Sequence, residues 1–193
     1  MRKEYVCMRK KEVYDAENSV FAYELTTYTG PPFEINDLWK TENSGLVKLF
    51  LEFGFNSCFA GKRVIIKVGD LLNEMGEVLK YPPEKVLVTC CEFKSVGKKM
   101  LLACKLLKNK GYLIVVDQYA LKRGHSKLLK LADFVRVDFQ TASLVQIFAA
   151  PQKAQKYSLQ CIAVNLDTAD RVNLAKHCNY QYFHGENVDS FLY

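Results

Sequence analysis

The chain has 193 residues, of which 49% are hydrophobic and 25% are charged, and its formal net charge is +6. This length predicts one domain, or at most two small ones, and the composition excludes a disordered, collagenous or coiled-coil chain. No apolar run approaches the roughly 20 residues of a membrane span, and no signal-peptide stretch follows the first residues, so we expect a cytoplasmic protein that does not enter the membrane.

The seven cysteines are expected to be free thiols. Their odd number rules out complete pairing within one chain, no C-x-x-C is present, and most of them lie inside apolar runs. In a reducing compartment such residues behave as small core side chains. We therefore expect neither a disulfide framework nor a cysteine metal site.

Positive charge is concentrated in the middle of the chain. Residues 94–130 contain ten Lys or Arg and one acid, Asp117, so this block carries +9 and the remainder carries −3. Such a block could bind nucleic acid or acidic lipid. Apolar residues fill the positions between the lysines, which favours the simpler interpretation that the lysines line the outer faces of two solvated helices.

The first predicted elements form a β-hairpin. Apolar residues at 5–8 and 13–14 flank a basic stretch, and turn-forming residues at 15–19 separate them from a strand over 20–25. Gly and Pro at 30–32 then break the chain, and Asn43 or Ser44 would cap a helix over 46–53.

From residue 64 onward, apolar strands alternate with helices. Predicted strands cover 64–68, 85–91, 112–117, 133–138, 159–164 and 180–183. Predicted helices cover 70–75, 96–109, 127–131, 141–148 and 168–178, and Pro151 is expected to start a separate segment. Six or seven strands that are apolar on both faces favour a closed (β/α) barrel over an open sheet. No Rossmann or P-loop fingerprint is present.

In such a barrel, functional side chains lie where the parallel strands end. The polar residues at these ends are Glu24, Lys67, residues 89–92, Asp117, Gln118, Arg136, Asp138, Asn165, Asp167 and His184. A hydrolytic two-metal site needs several converging carboxylates, and this set has few. Lys67 and Arg136 would also oppose a bound cation by Coulomb repulsion.

Four stretches carry a family resemblance. They are V-Y-D with V-F-A-Y-E-L between residues 13 and 25, K-G-Y-L-I-V-V-D at 110–117, L-L-K-L-A-D-F-V-R-V-D-F at 128–139, and L-A-K with Y-F-H-G between 174 and 185. In order and spacing they resemble EAL domains, the cyclic-di-GMP phosphodiesterases, and most closely the EAL half of EAL–HDOD proteins.

The resemblance covers nearly the whole chain and implies its architecture. We expect a shortened TIM-like (β/α) barrel of EAL type, with an N-terminal β-hairpin that contains one antiparallel strand. Residues 1–193 would form a single domain, and the HDOD half would be absent from this chain. Since such barrels typically need about 250 residues, we also expect trimmed helices and an eighth helix that is either missing or supplied by another segment.

Departures from the family's pattern imply a degenerate site. Active EAL domains bind two divalent cations through Glu, Asn, Glu and Asp, and they use a catalytic lysine. Here the signature glutamate corresponds to Glu24, but the asparagine ligand becomes Lys67 and the lysine becomes Arg136. The corresponding positions are Glu24, Tyr28, Lys67, Val88, Asp117, Gln118, Arg136, Asp138, Val164, Asp167 and His184.

These departures imply an inactive domain with no catalytic residue, no metal site and no cofactor. Only an active phosphodiesterase, the least favoured alternative, would need Mg²⁺ or Mn²⁺. A non-hydrolysing receptor for cyclic-di-GMP is the other alternative, in which Tyr28 would stack on guanine while Lys67 and Arg136 contact phosphate. Glu24 is otherwise expected to be neutralised by Lys67 or Arg136, and His184 to be packed or solvent-facing.

The favoured interpretation is a bacterial signalling domain that works through an unidentified protein partner. An enzyme scaffold that has lost its metal ligands but keeps its core is retained for its surface or for its pairing with another chain. A homodimer is therefore an open possibility, whereas nucleic acid is an improbable partner and a membrane is excluded.

Overall fold

A computed structural model of the chain describes residues 6–29, 57, 59–68, 75–76, 78–90, 97–122, 124–186 and 188–192. Within this set, residues 6–9 and 26–29 are described by their backbone only. The predicted chain break at 30–32, the helix over 46–53 and most of the helix over 70–75 lie outside the described residues.

Eight strands form a closed barrel in sequence order. They are β1 (Val6–Asp15), β2 (Val20–Thr29), β3 (Arg63–Val68), β4 (Val86–Cys90), β5 (Leu113–Asp117), β6 (Phe134–Asp138), β7 (Gln160–Val164) and β8 (Tyr182–His184). Strand β1 is antiparallel to both β2 and β8, and every other neighbouring pair is parallel. The predicted (β/α) barrel is confirmed: its eight strands are the two of the N-terminal hairpin and the six that were predicted from residue 64 onward.

Helices connect the later strands and cover the barrel. Those with defined bounds are α1 (Lys98–Asn109), the 3₁₀ helix (Gln118–Leu121), α2 (Ser126–Leu129), α3 (Leu144–Gln155), α4 (Ala169–His177) and α5 (Asp189–Leu192). Among the described residues, no helix combines the length and the apolar character that crossing a membrane requires.

The hairpin turn between β1 and β2 is held by one carboxylate. Asp15 Oδ1 accepts hydrogen bonds from the amides of Glu17 at 3.0 Å and Ser19 at 2.9 Å. Asn18 occupies the left-handed region at φ 61°, which Asn tolerates better than most residues. The turn-rich composition of residues 15–19 therefore predicts this bend correctly.

Strand side chains alternate between the barrel lumen and the layer beneath the helices. The lumen core is buried and apolar, and it consists of Val13, Ala22, Ile65, Leu87, Val115, Phe134, Ile162 and Val164. The outer core lies between strands and helices and includes Val64, Ile66, Val88, Ile114, Val116, Val137, Cys161 and Ala163. This alternation decides which residues at the strand ends face the lumen.

Helix α3 differs from its prediction at both ends. It begins three residues later than expected because Ser143 forms a capping box, accepting from the amide of Gln146 while Gln146 accepts from the amide of Ser143. It also runs through Pro151 to Gln155, whereas Pro151 was expected to start a separate segment.

A tyrosine explains why α3 tolerates Pro151. Proline lacks the amide that would donate to the carbonyl of Ile147, four residues earlier. The buried hydroxyl of Tyr180 donates to that carbonyl instead, at 2.9 Å. Tyr180 lies in the loop before β8. This strand begins at Tyr182, two residues later than the sequence predicted.

The chain continues past β8 into one helical turn. Helix α5 buries Leu192, and Val188 just before it is buried as well. Asn18 in the hairpin turn and Lys176 in α4 both donate to the carbonyl of Leu192, each at 3.1 Å. The expectation that the eighth helix is missing or supplied by another segment is therefore wrong, because these apolar side chains and hydrogen bonds hold a short helix in its place.

The cysteines behave as predicted where the structure describes them. Cys90, Cys104 and Cys161 are buried in the outer core and Cys178 is half-buried after α4, and all four are thiols outside any disulfide. Burial raises the pKa of Cys161 to about 12, so this thiol stays protonated and acts as a small apolar side chain.

Candidate functional site

Glu24 lies at the barrel mouth, where the parallel strands end. It follows Ala22 by two positions on β2, so it points into the lumen directly above the apolar core. Its side chain is only 5% exposed. A carboxylate this deeply buried is costly unless partners surround it, because the low-dielectric interior disfavours its charge.

Arg136 on β6 binds Glu24 with both ends of its guanidinium. Nη1 donates to Oε1 at 2.8 Å and Nη2 donates to Oε2 at 3.2 Å, so the pair is bidentate. Arg136 is itself 9% exposed. Since 112 residues separate the two partners in sequence, closure of the barrel brings them together.

Two further groups contact the same carboxylate. Lys67 on β3 places Nζ 3.2 Å from Oε1, and its side chain is 42% exposed, so its ammonium reaches the solvent side of the mouth. His184 at the end of β8 places Nε2 3.1 Å from Oε2 and is buried. Glu24 is therefore surrounded by a guanidinium, an ammonium and an imidazole.

The protonation states follow from these contacts. Burial by itself would raise the pKa of Glu24, but Arg136, His184 and Lys67 outweigh burial and hold it well below its usual range. Burial lowers the pKa of His184 to about 4, since attraction by Glu24 only partly offsets burial and the nearby cations. At neutral pH the cluster holds an ionised glutamate and a neutral histidine.

The imidazole of His184 is not fully satisfied. Among the described residues, neither of its nitrogens makes a hydrogen bond of good geometry, although Nε2 lies within contact distance of Glu24. This packed, neutral ring matches one of the two expectations for His184. No carboxylate among its described hydrogen bonds orients it as a general base would require.

A second polar group forms beside the cluster, around Asp138 at the end of β6. Its Oδ1 accepts from Asn165 Nδ2 and from the Gln140 amide, both at 2.8 Å. Burial would raise the pKa of Asp138, but hydrogen bonds from Asn165, Gln140 and Thr141 lower it overall. Gln118 Oε1 accepts from the Asp138 amide at 3.0 Å. The Asp138 carboxylate is thus engaged in hydrogen bonds with Asn165 and with the following backbone.

The rim between β7 and β8 is tightly packed. Asp167 accepts from the Glu186 amide at 3.2 Å and lies 3.7 Å from Arg171. Between His184 and Glu186, Gly185 lies so close to Leu166 that an added Cβ would be 2.7 Å from the Leu166 nitrogen and oxygen. This close approach requires glycine after the histidine.

The structure brings some of the predicted site residues together and separates others. Glu24, Lys67, Arg136 and His184 form one cluster, while Gln118, Asp138 and Asp167 lie in neighbouring hydrogen-bonded groups. Asp117 ends β5 and is half-buried, and Val164 packs in the lumen core. The side chain of Tyr28 lies outside the described set, although its backbone pairs with Cys7.

Val88 is not at the mouth. It packs in the outer core, and its register partners Ile66 and Ile114 do the same. The lumen-facing residue at this level of β4 is Thr89, which pairs with Lys67 and Val115. Val88 therefore places no side chain at the mouth, because neighbouring residues of a strand face opposite sides of the sheet.

Two polar residues that the sequence placed at strand ends, Thr89 and Asn165, lie near the mouth, and one residue there, Lys11, was missed. Thr89 is fully buried, and its hydroxyl lacks a hydrogen-bond partner among the described residues. Lys11 pairs in register with Glu24 and binds Glu186 at 2.7 Å. Asn165 adopts φ 61° and holds Asp138. Period-two alternation along β1 could have identified Lys11, because it pairs in register with Glu24.

The mouth does not fit the two divalent cations that the EAL fold implies. Such ions need several oxygen ligands each, yet both oxygens of Glu24 already contact nitrogen atoms. Within the described residues, no group of three or more His, Cys, Asp or Glu side chains is arranged to hold a metal. Arg136 and Lys67 occupy the space around the carboxylate with positive charge.

Comparison with known proteins places this barrel among EAL structures. The chain matches no model of a known protein family. It is 21% identical over 181 residues to the cyclic di-GMP phosphodiesterase CdgJ of Vibrio cholerae, covering 91% of this chain and 42% of that protein. It is 20% identical over 187 residues to the uncharacterized protein YuxH of Bacillus subtilis, covering 93% and 46%. The chain thus spans less than half the length of these two relatives.

Solved structures agree on the fold. YkuI of Bacillus subtilis, an EAL-domain protein in complex with cyclic-di-GMP and calcium, superposes with a TM-score of 0.73 at 16% identity, covering 95% of this chain and 54% of that one. An EAL-domain protein of Listeria monocytogenes superposes with a TM-score of 0.66 at 12% identity, covering 95% and 87%. At these identities the likeness concerns the fold, and this chain has the barrel fold of EAL domains.

Proposed function

We propose that this chain is a catalytically inactive EAL-like domain that acts in bacterial regulation, in the cytoplasm, by binding another protein. The Glu24 cluster is the observation that supports the proposal. A divalent cation at Glu24 would lie within roughly 4 Å of the charges of Arg136 and Lys67, where Coulomb repulsion in a partly buried site amounts to several kcal/mol. Residues 1–193 would act as a single domain.

Arg136 also argues against the chemistry of the family. It stands where the resemblance puts the catalytic lysine, and its guanidinium stays protonated at any physiological pH. It therefore cannot take or release a proton during hydrolysis. Its bidentate bond to Glu24 moreover fixes both side chains in a fully neutralised pair.

An active phosphodiesterase is the reading that the name of the Vibrio relative favours. It would require Glu24 to release Arg136 and Lys67 when metal and substrate bind. The purified protein, incubated with cyclic-di-GMP and Mg²⁺ or Mn²⁺, tests this by chromatography of the nucleotide, with CdgJ as the positive control. We expect the dinucleotide to stay cyclic, and metal-dependent formation of linear product would disprove the inactive domain.

A non-hydrolysing cyclic-di-GMP receptor is the second candidate. The side chain of Lys67 is 42% exposed at a mouth that carries two cations for one buried carboxylate, which suits a phosphate. Calorimetry separates this candidate from a protein-binding domain. A receptor gives saturable heat that Arg136→Ala or Lys67→Gln weakens, whereas the absence of heat at high dinucleotide concentration removes the receptor and leaves protein binding.

A further inference from the structure

Helix α1 presents two large apolar side chains to solvent. The side chains that it buries against the barrel are Met100, Ala103, Cys104 and Leu107. Leu102 and Leu106 lie on its outer side, one turn apart, and are 69% and 43% exposed. A single exposed leucine is ordinary on a protein surface, whereas two neighbours on one helix face form a ridge that another helix can cover.

Lysines surround this leucine pair on both sides. They are the exposed residues Lys98, Lys99, Lys105 and Lys110. Each lies three or four residues from Leu102 or Leu106, and this spacing makes them neighbours on the helix surface. Among the described residues, none of the four lysines forms an ion pair. Their charges are therefore available to a partner.

The beginning of α1 departs from the pattern that stabilises a helix. Gly97 at the N-cap offers no side-chain hydrogen bond, and the first turn has no acidic residue. Lys98 and Lys99 add positive charge at this end, where the helix dipole is already positive and favours negative groups. Such a local departure is expected at a binding surface. A carboxylate placed against this end would be attracted by the lysines and by the dipole together.

The surroundings of α1 are positively charged as well. The block over 94–130 carries +9, and Asp133, which follows it, is neutralised by Lys108 at 2.6 Å. Helix α2 contacts α1 and adds the exposed residues Lys127 and Lys130. The potential over this side of the barrel therefore attracts acidic partners and repels basic ones.

We propose that the outer face of α1 binds an acidic amphipathic helix of a partner protein. Apolar side chains of that helix cover Leu102 and Leu106, and its flanking Asp or Glu residues pair with the lysines on both sides, as charged flanks do in a coiled coil. The inference rests on the proposed function, in which the domain acts by binding protein, and it names the surface and the chemistry of that partner.

The same observations disfavour other occupants of this face. A two-fold contact between two copies of the chain would bring lysines against lysines. An anionic membrane needs a larger apolar face than two leucines, and a nucleic acid would meet those leucines with charged phosphates. An acidic amphipathic helix uses the leucines and the lysines at once.

A designed peptide tests the surface without assuming the identity of the partner. It consists of three heptads with Leu at positions a and d, Glu at e and g, and Ala or Gln elsewhere, so that its own charges oppose self-pairing. Fluorescence anisotropy measures its binding to the full chain. We expect saturable binding, and at least tenfold weaker binding of a peptide with Lys in place of Glu and of a peptide with the same composition in scrambled order.

Two variants of α1 should each weaken the binding of the acidic peptide at least tenfold. Leu102→Ser/Leu106→Ser removes the apolar ridge, and Lys98→Glu/Lys105→Glu reverses two of the flanking charges. Glu at position 98 suits the beginning of a helix, so the second variant is expected to stay folded. Thermal unfolding verifies that every variant is folded.

Helix α3 supplies matched controls. Leu144 and Phe148 are also one turn apart and are 62% and 55% exposed, but no lysine lies three or four residues from either. Leu144→Ser/Phe148→Ser should therefore change the binding less than twofold. Lys153→Glu/Lys156→Glu, which reverses two exposed lysines outside α1, should do the same.

Several results would overturn the inference. They are absence of binding by the acidic peptide, binding that the α1 variants leave unchanged, and equal weakening by the α3 variants. Binding of anionic phospholipid vesicles or of a DNA duplex that depends on α1, without binding of the peptide, would overturn it too, and so would self-association that depends on α1. The nucleotide assay above is independent: turnover would refute the inactive domain, whereas failure of the peptide to bind would refute this surface alone.

Discussion

At the scale of single residues, the mouth depends on a buried ion pair whose two partners need each other. Glu24 and Arg136 are both almost completely buried, so each would be an uncompensated charge without the other. Burying charges costs several kcal/mol per ion, and the bidentate geometry offsets much of that cost. Such a pair contributes little net stability while it is intact, yet it is strongly destabilising once it is broken.

Removing Arg136 should therefore destabilise the fold. We expect Arg136→Ala to lower the free energy of unfolding by about 3 kcal/mol, because Glu24 would remain buried with fewer partners. Urea denaturation measures the change. Arg171→Ala is the matched control, since Arg171 forms a longer, half-exposed contact with Asp167 and should lose at most about 1 kcal/mol. Equal effects of the two substitutions would contradict the account of the cluster.

His184 should make stability depend on pH. Its pKa is about 4 in the folded chain against an ordinary value of 6.5, so the unfolded chain binds the proton more readily. Its contribution is fully present above pH 6.5 and is lost as the pH falls toward 4, by about 3 kcal/mol. Glu24, whose pKa is also lowered, adds further loss at the acidic end.

Substitution isolates the histidine from the other groups. His184→Gln should flatten the decline in unfolding free energy between pH 6.5 and 4.5, as followed by urea denaturation at each pH. His177→Gln, at an exposed histidine of α4, should leave that decline unchanged. If the unfolding free energy of His184→Gln still declined as steeply between pH 6.5 and 4.5, the buried imidazole would not be the source of the decline.

Part of the site was predictable from the sequence, because charged residues occupy positions where predicted strands end. Glu24, Lys67 and Arg136 stand at strand ends, and opposite charges at one end of a barrel predict pairing. The outward direction of Val88 was not predicted, because the family resemblance locates a strand but not its register, and one residue decides between lumen and outer core. The contact of His184 with Glu24 needs the closure between β8 and β1, which no local pattern contains.

At the scale of elements, α3 shows how a distant side chain completes a helix. Pro151 leaves the Ile147 carbonyl without an intrahelical donor, and Tyr180 supplies the missing hydrogen bond from the loop before β8. Tyr180→Phe should cost about 1.5 kcal/mol, because it leaves a buried acceptor unpaired. In a Pro151→Ala background, residue 151 regains its amide, so the same substitution should cost clearly less.

A double-mutant cycle measures this coupling by chemical denaturation. Equal costs of Tyr180→Phe in both backgrounds would refute the explanation. The expected helix boundary at Pro151 was wrong for this reason. A proline usually interrupts a helix, and nothing near residue 151 indicates that a tyrosine 29 residues later replaces its hydrogen bond.

Gly185 joins β8 to the loop after β7 by close backbone contact. A Cβ there would lie 2.7 Å from backbone atoms of Leu166, which cannot move without breaking the hydrogen bond that the Leu166 amide donates to the His184 carbonyl. Gly185→Ala should therefore lower the unfolding free energy by about 2 kcal/mol. Gly76→Ala, where an added Cβ meets open space, should not destabilise the chain, and thermal denaturation compares the two.

At the scale of the whole molecule, the sequence predicts the barrel architecture better than it predicts the short helix after the last strand. Apolar strands alternating with helices leave few alternatives to a helix-covered parallel sheet, and the hairpin accounts for the antiparallel strand. The short α5 escaped prediction because four residues carry no periodic signal. Its place depends on buried Leu192 and Val188 and on long-range bonds to the Leu192 carbonyl.

The central claim is that the barrel mouth is an ion-pair cluster rather than a metal site. Titration of the protein with Mn²⁺, followed by the electron paramagnetic resonance signal of the free ion, tests it most directly. We predict that free Mn²⁺ rises in proportion to the amount added, for the natural chain and for Glu24→Gln alike. A saturable loss of free Mn²⁺ in the natural chain that Glu24→Gln abolishes would contradict the account.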